Sequence, residues 1–181
     1  MICEEEKIIK DGEEIVLRCL RADEAETVLE GFKKLSGETR FLSQYPEEIN
    51  VTAEQEREFI EMNNSDKAKL LIGAFVGGQY AGNCYFAGKT VTRRTAHRAG
   101  LGIAIFQQFS GRGLGTVMLE KLLKEAKRAG FEQMELDVVS GNERAIGLYK
   151  KLGFAECGRI PDGMRFDDGT SFDRITMYKK L

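Results

Sequence analysis

The chain has 181 residues, of which 42% are hydrophobic and 31% are charged, as is usual for a soluble globular protein. Its 27 basic and 29 acidic residues leave a formal net charge of -2, which argues against proteins that bind nucleic acid or anionic membranes through a basic surface. This length suits one domain, so we expect residues 1–181 to form a single domain with a sizeable core.

Targeting signals and metal-binding patterns are not found in the sequence. The first residues, MICEEEKIIKDGEE, lack the apolar core of a signal peptide, and the longest apolar stretches are too short to span a bilayer. The four cysteines are widely spaced without a CxxC pair, and His97 is the only histidine. We therefore expect a cytoplasmic protein with reduced thiols, no metal site, and neither nucleic acid nor membrane as a partner.

The first half of the chain predicts strands and helices in turn. Residues 15–20 are apolar and predict a strand, after which Asp23 is a candidate N-cap for a helix to about Leu35. Thr52, with Glu56, predicts a second helix that ends near residue 63. Two apolar runs, 70–76 and 79–87, flank Gly77-Gly78 and therefore predict an antiparallel hairpin.

The second half predicts a βαβ-like unit and a final pair of strands. In residues 99–106, bulky residues alternate with glycine and alanine, so one face of this fourth predicted strand is nearly bare. A basic loop at 89–98 precedes it. The remaining predicted elements are a helix from 114 to about 130, a strand at 133–139, a helix at 142–152, and strands at 154–160 and 172–178. The whole is a mixed α/β domain.

The segment FQQFSGRGLGTVML places three glycines, at 111, 113 and 115, at the start of the third predicted helix. Glycine weakens a helix by roughly 0.5–1 kcal/mol relative to alanine, so three of them need a reason. Without Cβ atoms, backbone N–H groups can face outward, and a helix N-terminus adds unpaired donors and a positive dipole end. The pattern favours a diphosphate site, although a tight strand-to-helix turn explains a lone glycine cluster equally well.

Two other phosphate-binding motifs fit this loop less well. A phosphate-loop NTPase needs a Gly-Lys-Ser/Thr sequence, which does not follow the glycines. A dinucleotide-binding GxGxxG motif would need glycine where Thr116 stands, and it normally follows the first strand of its domain, whereas this loop follows four predicted strands and two helices. A nicotinamide dinucleotide enzyme is therefore disfavoured.

A second motif, NERAIGLYKKLGF, begins at Asn142, a good N-cap, and places Tyr149 about two helical turns further on. Together, QFSGRG and this motif resemble the GNAT family of N-acetyltransferases. Gln108, Gly111 and Gly113 match the family's Gln/Arg-x-x-Gly-x-Gly/Ala loop. The later Asn, Ala, Tyr and Gly-Phe signature is met at positions 142, 145, 149, 153 and 154. The resemblance implies a mixed, mostly antiparallel twisted sheet of about six or seven strands, flanked by about four helices.

The resemblance also implies a cofactor site for acetyl-CoA. The backbone of Ile103, Ala104 and Ile105 would pair with the pantetheine arm, for which the bare face of the strand would leave room. Asn142 would contact the cofactor near its thiol end. The pyrophosphate would be held by the loop, and the implied residues are Gln108, Gly111, Arg112, Gly113, Leu114, Gly115 and Thr116. One position departs from a common form of the loop, because Ser110 stands where an arginine often precedes the first glycine.

The implied activity is transfer of an acetyl group to a primary amine of a small molecule or a protein, by direct attack in a ternary complex. Tyr149 would protonate the departing thiolate, and a backbone N–H near Ile105 would stabilise the oxyanion. Asp137 is a candidate general base, or else an ordinary solvent-facing carboxylate on its strand. Glu135 shares its strand face but would lie further from the sulfur.

The acceptor site would be set by the first two helices with their loop and by the loop after residue 160. A homodimer is left open. The alternative function is a non-catalytic acyl-CoA-binding sensor on the same fold, which would bind the cofactor without turnover.

Overall fold

The computed structural model describes residues 1–89 and 92–181. The predicted basic loop at 89–98 includes Thr90 and Val91, which lie outside the described residues. Within the described part the chain forms eight strands and four α-helices. The strands are β1 Glu6–Lys10, β2 Glu13–Cys19, β3 Lys69–Val76, β4 Gln79–Gly88, β5 Arg98–Ile105, β6 Gln133–Val139, β7 Ala155–Arg165 and β8 Ser171–Lys180. The helices are α1 Ala25–Glu38, α2 Ala53–Ser65, α3 Leu114–Arg128 and α4 Glu143–Lys151.

All eight strands belong to one mixed sheet in the order β1-β2-β3-β4-β5-β6-β8-β7. Neighbouring strands are antiparallel except β5 and β6, which α3 connects in parallel. The prediction of a mixed, mostly antiparallel sheet with four helices is therefore confirmed. The predicted number of six or seven strands is wrong, because β1 was not recognised: it is short, mostly exposed and charged at both ends.

Helices cover both faces of the sheet, and successive side chains of β3 point alternately to the two cores that these helices close. Leu71 belongs to a small core that α1 and α2 close. Leu70 and Ile72 point to the other face and join the main core, which α3 and α4 cover. The Gly77-Gly78 turn between β3 and β4 has positive φ at both residues, so the predicted hairpin is confirmed.

Three predicted element boundaries need correction. A short 3₁₀ turn, Ala22–Glu24, contains Asp23, so this residue does not cap α1, which starts at Ala25. Thr52 caps α2 as predicted, but its capping-box partner is Gln55 rather than Glu56: the Gln55 N–H donates to the Thr52 hydroxyl at 3.2 Å.

The third correction concerns the end of the sheet. β7 runs through Pro161 and Gly163 to Arg165, where a Pro/Gly/Asp-rich loop was predicted. A proline is tolerated there because β7 is an edge strand, and the pairing with β8 shifts register between Ile160 and Met164.

Candidate active site

The two parallel strands at the centre of the sheet separate after a short contact. β5 and β6 pair at three positions only, the last being Gly100 with Glu135. Beyond it, β5 stays paired with β4 as far as Ile105, and β6 stays paired with β8 as far as Val139. A wedge-shaped gap therefore opens between residues 101–105 and 136–139. Backbone groups on this edge of β5 lack a neighbouring strand, and such groups need hydrogen-bond partners. Ile103, Ala104 and Ile105 lie on this edge.

The glycine loop follows β5 directly and leads into α3. Gly111 and Gly113 have φ values of 82° and 78°, a left-handed conformation that favours glycine, and Gly113 occupies the N-cap position of α3. Within residues 1–89 and 92–181, no backbone hydrogen bond is donated by the N–H groups of residues 111–115. These N–H groups lie at the N-terminus of a 15-residue helix, where unpaired donors and the positive end of the helix dipole favour an anion.

Two residues of the loop also make contacts within the chain. The Thr116 N–H donates to the Gly113 carbonyl at 3.2 Å and so belongs to the first turn of α3. At Gly115 an added Cβ would lie 2.9 Å from Cδ2 of Leu148, so this glycine permits the close packing of α4 on α3. Gln108 lies exposed in a 3₁₀ turn before the loop.

Three cationic side chains surround the loop. Arg112 Nη1 pairs with Glu13 Oε2 at 2.9 Å. Lys10, at the end of β1, lies over Gly113: its Nζ is 3.2 Å from the position that a Cβ of Gly113 would take. Arg144 Nη2, from α4, lies 3.8 Å from the corresponding position at Gly111. The sequence did not indicate Lys10 or Arg144, because neither belongs to the loop motif.

The second motif lies where β6 ends. The Asn142 side chain accepts a hydrogen bond from the Ala145 N–H at 3.2 Å, which confirms the predicted N-cap of α4. Tyr149 is 6% exposed, and its ring meets that of Phe154 edge to face at 5.9 Å. Burial raises the pKa of Tyr149 to about 12, and nearby Tyr85 adds to this effect. The phenol therefore keeps its proton at neutral pH.

The bare face of β5 is partly covered by side chains. Tyr85 pairs with Gly102 across the β4–β5 ladder, and an added Cβ at Gly102 would lie 2.5 Å from the tyrosine ring. Lys89 covers Gly100 in the same way, with its Cε 3.2 Å from the Cβ position. The expectation that this face is bare to leave room for a ligand is corrected, since Gly100 and Gly102 accommodate these side chains. Tyr85, 42% exposed, borders the wedge on the side of α1 and α2.

The two carboxylates of β6 differ in their surroundings. Glu135 is buried and ion-paired with Arg98, whose Nη2 donates to Oε2 at 2.8 Å. This hydrogen bonding, chiefly from Arg98, lowers the pKa of Glu135 to about 2. Asp137 is exposed, and its Oδ1 accepts a hydrogen bond from the Thr176 hydroxyl at 2.7 Å. Asp137 is the more accessible of the two carboxylates as a base. Glu135 instead links β6 to β5 through Arg98, at the point where the two strands separate.

Comparison with known proteins identifies the family. Residues 37–154 match the sequence profile of the Acetyltransferase (GNAT) family, which is more than half of the chain. The chain belongs to the GNAT family.

Among solved structures, an acetyltransferase of the GNAT family from Streptococcus pneumoniae superposes with a TM-score of 0.87 and 26% identity, over 92% of this chain and 99% of that one. A GNAT superfamily phosphinothricin acetyltransferase from Sinorhizobium meliloti, solved in complex with acetyl-CoA, has a TM-score of 0.80 and 17% identity, over 92% and 88% of the two chains. At that identity the likeness concerns the fold.

Among curated relatives, an L-methionine sulfoximine/L-methionine sulfone acetyltransferase from Pseudomonas aeruginosa is 39% identical over 57 residues. The alignment spans 31% of this chain and 33% of that protein, so the chain matches about a third of the length of this relative.

A cavity of about 270 Å³ in this GNAT chain lies between the α1–α2 connection and the β7–β8 hairpin, the two segments expected to form the acceptor site. Arg40 crosses it: its guanidinium stacks on Phe166 at 4.1 Å and pairs with Asp168 at 2.9 Å. Ser36 also lines the cavity, and its hydroxyl oxygen is buried without a hydrogen-bond partner in the described part of the chain.

The described ranges contain neither a metal-binding cluster nor a membrane-crossing helix. Their histidine, cysteine and acidic side chains form no cluster able to hold a metal ion. None of their helices combines the length and apolar character required to cross a membrane.

Proposed function

We propose that this protein is an acetyl-CoA-dependent N-acetyltransferase, which transfers an acetyl group to a primary amine by direct attack in a ternary complex. The observation that carries the proposal is the wedge between β5 and β6, which opens beside the N-terminus of α3. Family membership and the acetyl-CoA complex of the Sinorhizobium meliloti protein support it.

The residues present fit acetyl-CoA. The free edge of β5 at residues 103–105 would pair with the pantetheine arm as an added strand. N–H groups of residues 111–115 would hold the pyrophosphate, and Asn142 would contact the arm near its thiol end. Arg112 is engaged by Glu13, so Lys10 and Arg144 are the cations that replace the arginine missing at Ser110.

The chemistry divides among a few groups of the chain. The bound cofactor supplies an acetyl thioester. Tyr149, protonated because burial raises the pKa of its phenol to about 12, holds a proton at Oη for the departing sulfur. A backbone N–H near Ile105 on the free edge of β5 stabilises the charge that develops on the carbonyl oxygen. Asp137, held by Thr176, accepts a proton from the ammonium group of the acceptor directly or through water, and the neutral amine then attacks the thioester carbonyl.

The acceptor is a small-molecule amine or a protein amine that enters beside Tyr85 and the cavity lined by Arg40 and Ser36. We further propose that residues 1–181 form one domain around the single sheet. Cytoplasmic location and a homodimer stay predictions, which fractionation and light scattering test.

A thermal-shift and calorimetric titration with acetyl-CoA, CoA and NADH tests the proposal first. Binding of acetyl-CoA raises the unfolding free energy by about 2.7 kcal/mol at a hundredfold excess over Kd. Turnover of a panel of amines, followed by thiol release, then separates the enzyme from its alternative. Binding of CoA species without turnover of any amine would support the acyl-CoA sensor, and a shift with NADH alone would contradict both.

A further inference from the structure

Two of the four cysteines face each other at one edge of the sheet. Cys3 lies three residues before the first residue of β1, and Cys19 is the last residue of β2. Their sulfur atoms are 3.5 Å apart, and the backbone N–H of Cys3 donates to the Cys19 sulfur at 3.2 Å. A disulfide bond has an S–S distance of about 2.05 Å, so the two thiols are reduced but in contact.

The other two cysteines are placed differently. Cys84 is fully buried under α3, where its thiol donates to the Met118 carbonyl at 3.8 Å. Cys157 is exposed on β7, and its thiol donates to the Thr176 carbonyl at 3.5 Å. Within residues 1–89 and 92–181, the contact between Cys3 and Cys19 is therefore the one that joins two sulfur atoms.

The two facing thiols differ in pKa because their surroundings differ. Hydrogen bonding from the Cys3 thiol, aided by the Cys3 N–H and by the nearby Lys121 ammonium, lowers the pKa of Cys19 to about 6. The same hydrogen bond, together with burial and the Glu125 carboxylate, raises the pKa of Cys3 above its ordinary value. Lys121 is held close by, since its Nζ donates to the Glu4 carbonyl at 2.9 Å.

We propose that Cys3 and Cys19 form a peroxide-reactive dithiol site, in which Cys19 is the attacking sulfur and Cys3 the resolving one. The burial of the two residues agrees with these roles, because Cys19 is partly exposed whereas Cys3 is only 9% exposed. The proposal does not depend on acetyl transfer.

The reaction balances with hydrogen peroxide as the oxidant. The Cys19 thiolate attacks one peroxide oxygen, the O–O bond breaks, and the second oxygen leaves as hydroxide, which takes up a proton to become water. Cys19 is then a sulfenic acid. The Cys3 sulfur displaces the hydroxyl group from Cys19, a disulfide forms, and a second water carries away the Cys3 proton. Two thiols are oxidised and one peroxide is reduced to two waters.

The disulfide would fasten the segment before β1 to the end of β2. β2 is itself paired with β3 on its other side, with Cys19 opposite Ile72, so the new link would tie an edge strand to the interior of the sheet. Closing such a loop restricts the unfolded chain more than the folded one. We therefore expect the oxidised protein to unfold at a higher temperature than the reduced protein.

Peptide mapping of the unmodified sequence tests the site directly. The reduced protein is treated with one equivalent of hydrogen peroxide, quenched with an alkylating reagent and digested. The expected result is a loss of about 2 Da, the mass of two hydrogen atoms, with a single linked peptide pair containing Cys3 and Cys19. The Cys157→Ser variant should give the same linked pair. Four alkylated thiols, or a link that involves Cys84 or Cys157, would overturn the proposal.

Two serine variants test the assigned roles. In Cys3→Ser, the sulfenic acid on Cys19 has no resolving thiol, so dimedone should label Cys19 faster than Cys157. In Cys19→Ser, dimedone should leave Cys3 unlabelled. Equal labelling of Cys19 and Cys3 in the two variants would contradict the assignment. The mapping of the unmodified sequence still decides whether the link forms if either variant fails to fold.

Discussion

Lys10 lies across Gly113, with its Nζ 3.2 Å from the position that a Cβ on that glycine would occupy. The two residues are 103 positions apart, and the β1–β2 hairpin brings them together. Ser110 stands where an arginine often precedes the first glycine of such loops, and Arg112 is engaged by Glu13. Lys10 therefore supplies the positive charge that the loop itself does not present freely.

Lys10→Ala should weaken acetyl-CoA binding by roughly 5- to 30-fold, about 1–2 kcal/mol, because it removes a charge-assisted contact with phosphate. The loss should shrink as salt is raised, since the interaction is partly exposed. Isothermal titration at two ionic strengths measures both effects. Lys7→Ala is the matched control, because Lys7 lies on the same strand and pairs with Glu5 instead. If the two variants bind acetyl-CoA with equal affinity, Lys10 does not contribute to cofactor binding.

Gly113→Asp should abolish detectable acetyl-CoA binding, since a carboxylate at this residue, which has φ of 78°, would stand among the N–H groups proposed to hold the pyrophosphate. Gly130→Asp is a matched control: Gly130 has φ of 89°, and nothing lies within 4 Å of its Cβ position. Both variants carry similar backbone strain and the same added charge. We expect the two variants to unfold at similar temperatures. Only Gly113→Asp should lose acetyl-CoA binding. Equal acetyl-CoA binding by both variants would mean that the loop is a structural turn that does not bind the cofactor.

Tyr149→Phe should lower kcat by roughly 10²-fold, a typical effect of removing a general acid, and should change the acetyl-CoA Kd by less than about twofold. Steady-state kinetics and calorimetry separate the two quantities. Tyr178→Phe removes a phenol from β8, where Tyr178 pairs with Glu135 in the β6–β8 ladder, and should leave both quantities unchanged. A normal kcat for Tyr149→Phe would mean that the sulfur receives its proton elsewhere.

The pH dependence gives a second test of Tyr149. Because burial raises the pKa of its phenol to about 12, Tyr149 stays protonated throughout the range from pH 6 to 10. We expect kcat to rise with pH as the acceptor amine loses its proton and to show no descending limb below pH 10. A descending limb near pH 8 that disappears in Tyr149→Phe would contradict the raised pKa.

Glu135→Gln should destabilise the fold by about 1–2 kcal/mol at pH 7, because the carboxylate is buried and paired with Arg98 where β5 and β6 part. The folded-state pKa of about 2 lies below the ordinary value of 4.5. The contribution is therefore present above pH 4.5 and is lost as the pH falls toward 2. Urea unfolding at pH 7, 4 and 3 measures the unfolding free energy of the variant and of the unmodified sequence. The difference between the two should shrink as the pH falls. The variant of an exposed residue, Glu132→Gln, should have the same unfolding free energy as the unmodified sequence at each pH.

Local sequence predicted those parts of the site that depend on near neighbours along the chain. The glycines of the loop, the N-cap at Asn142 and the hairpin at Gly77-Gly78 each follow from a backbone requirement within a few residues. The order of the elements from β2 onward followed from the strand and helix patterns, and the mixed, mostly antiparallel sheet followed from the family resemblance.

Contacts between distant segments could not be predicted in this way. Lys10 meets the loop only because β1 pairs with β2, and β1 itself is too short and polar to show a buried pattern. Tyr85 covers Gly102 because of the β4–β5 register, which a single strand pattern does not determine. The extension of β7 through Pro161 depends on its position at the sheet edge.

The short contact between β5 and β6 separates two groups of strands that are each paired over longer stretches. Strands β1–β5 form one and β6–β8 the other, and three residue pairs join them directly, alongside the α3 crossover. A ligand lying along the free edge of β5 would contact both groups of strands and so restrict their motion relative to each other. Amide hydrogens of residues 101–105 should then exchange slowly only when the wedge is filled, and the two groups of strands should unfold together in the complex but more independently without it.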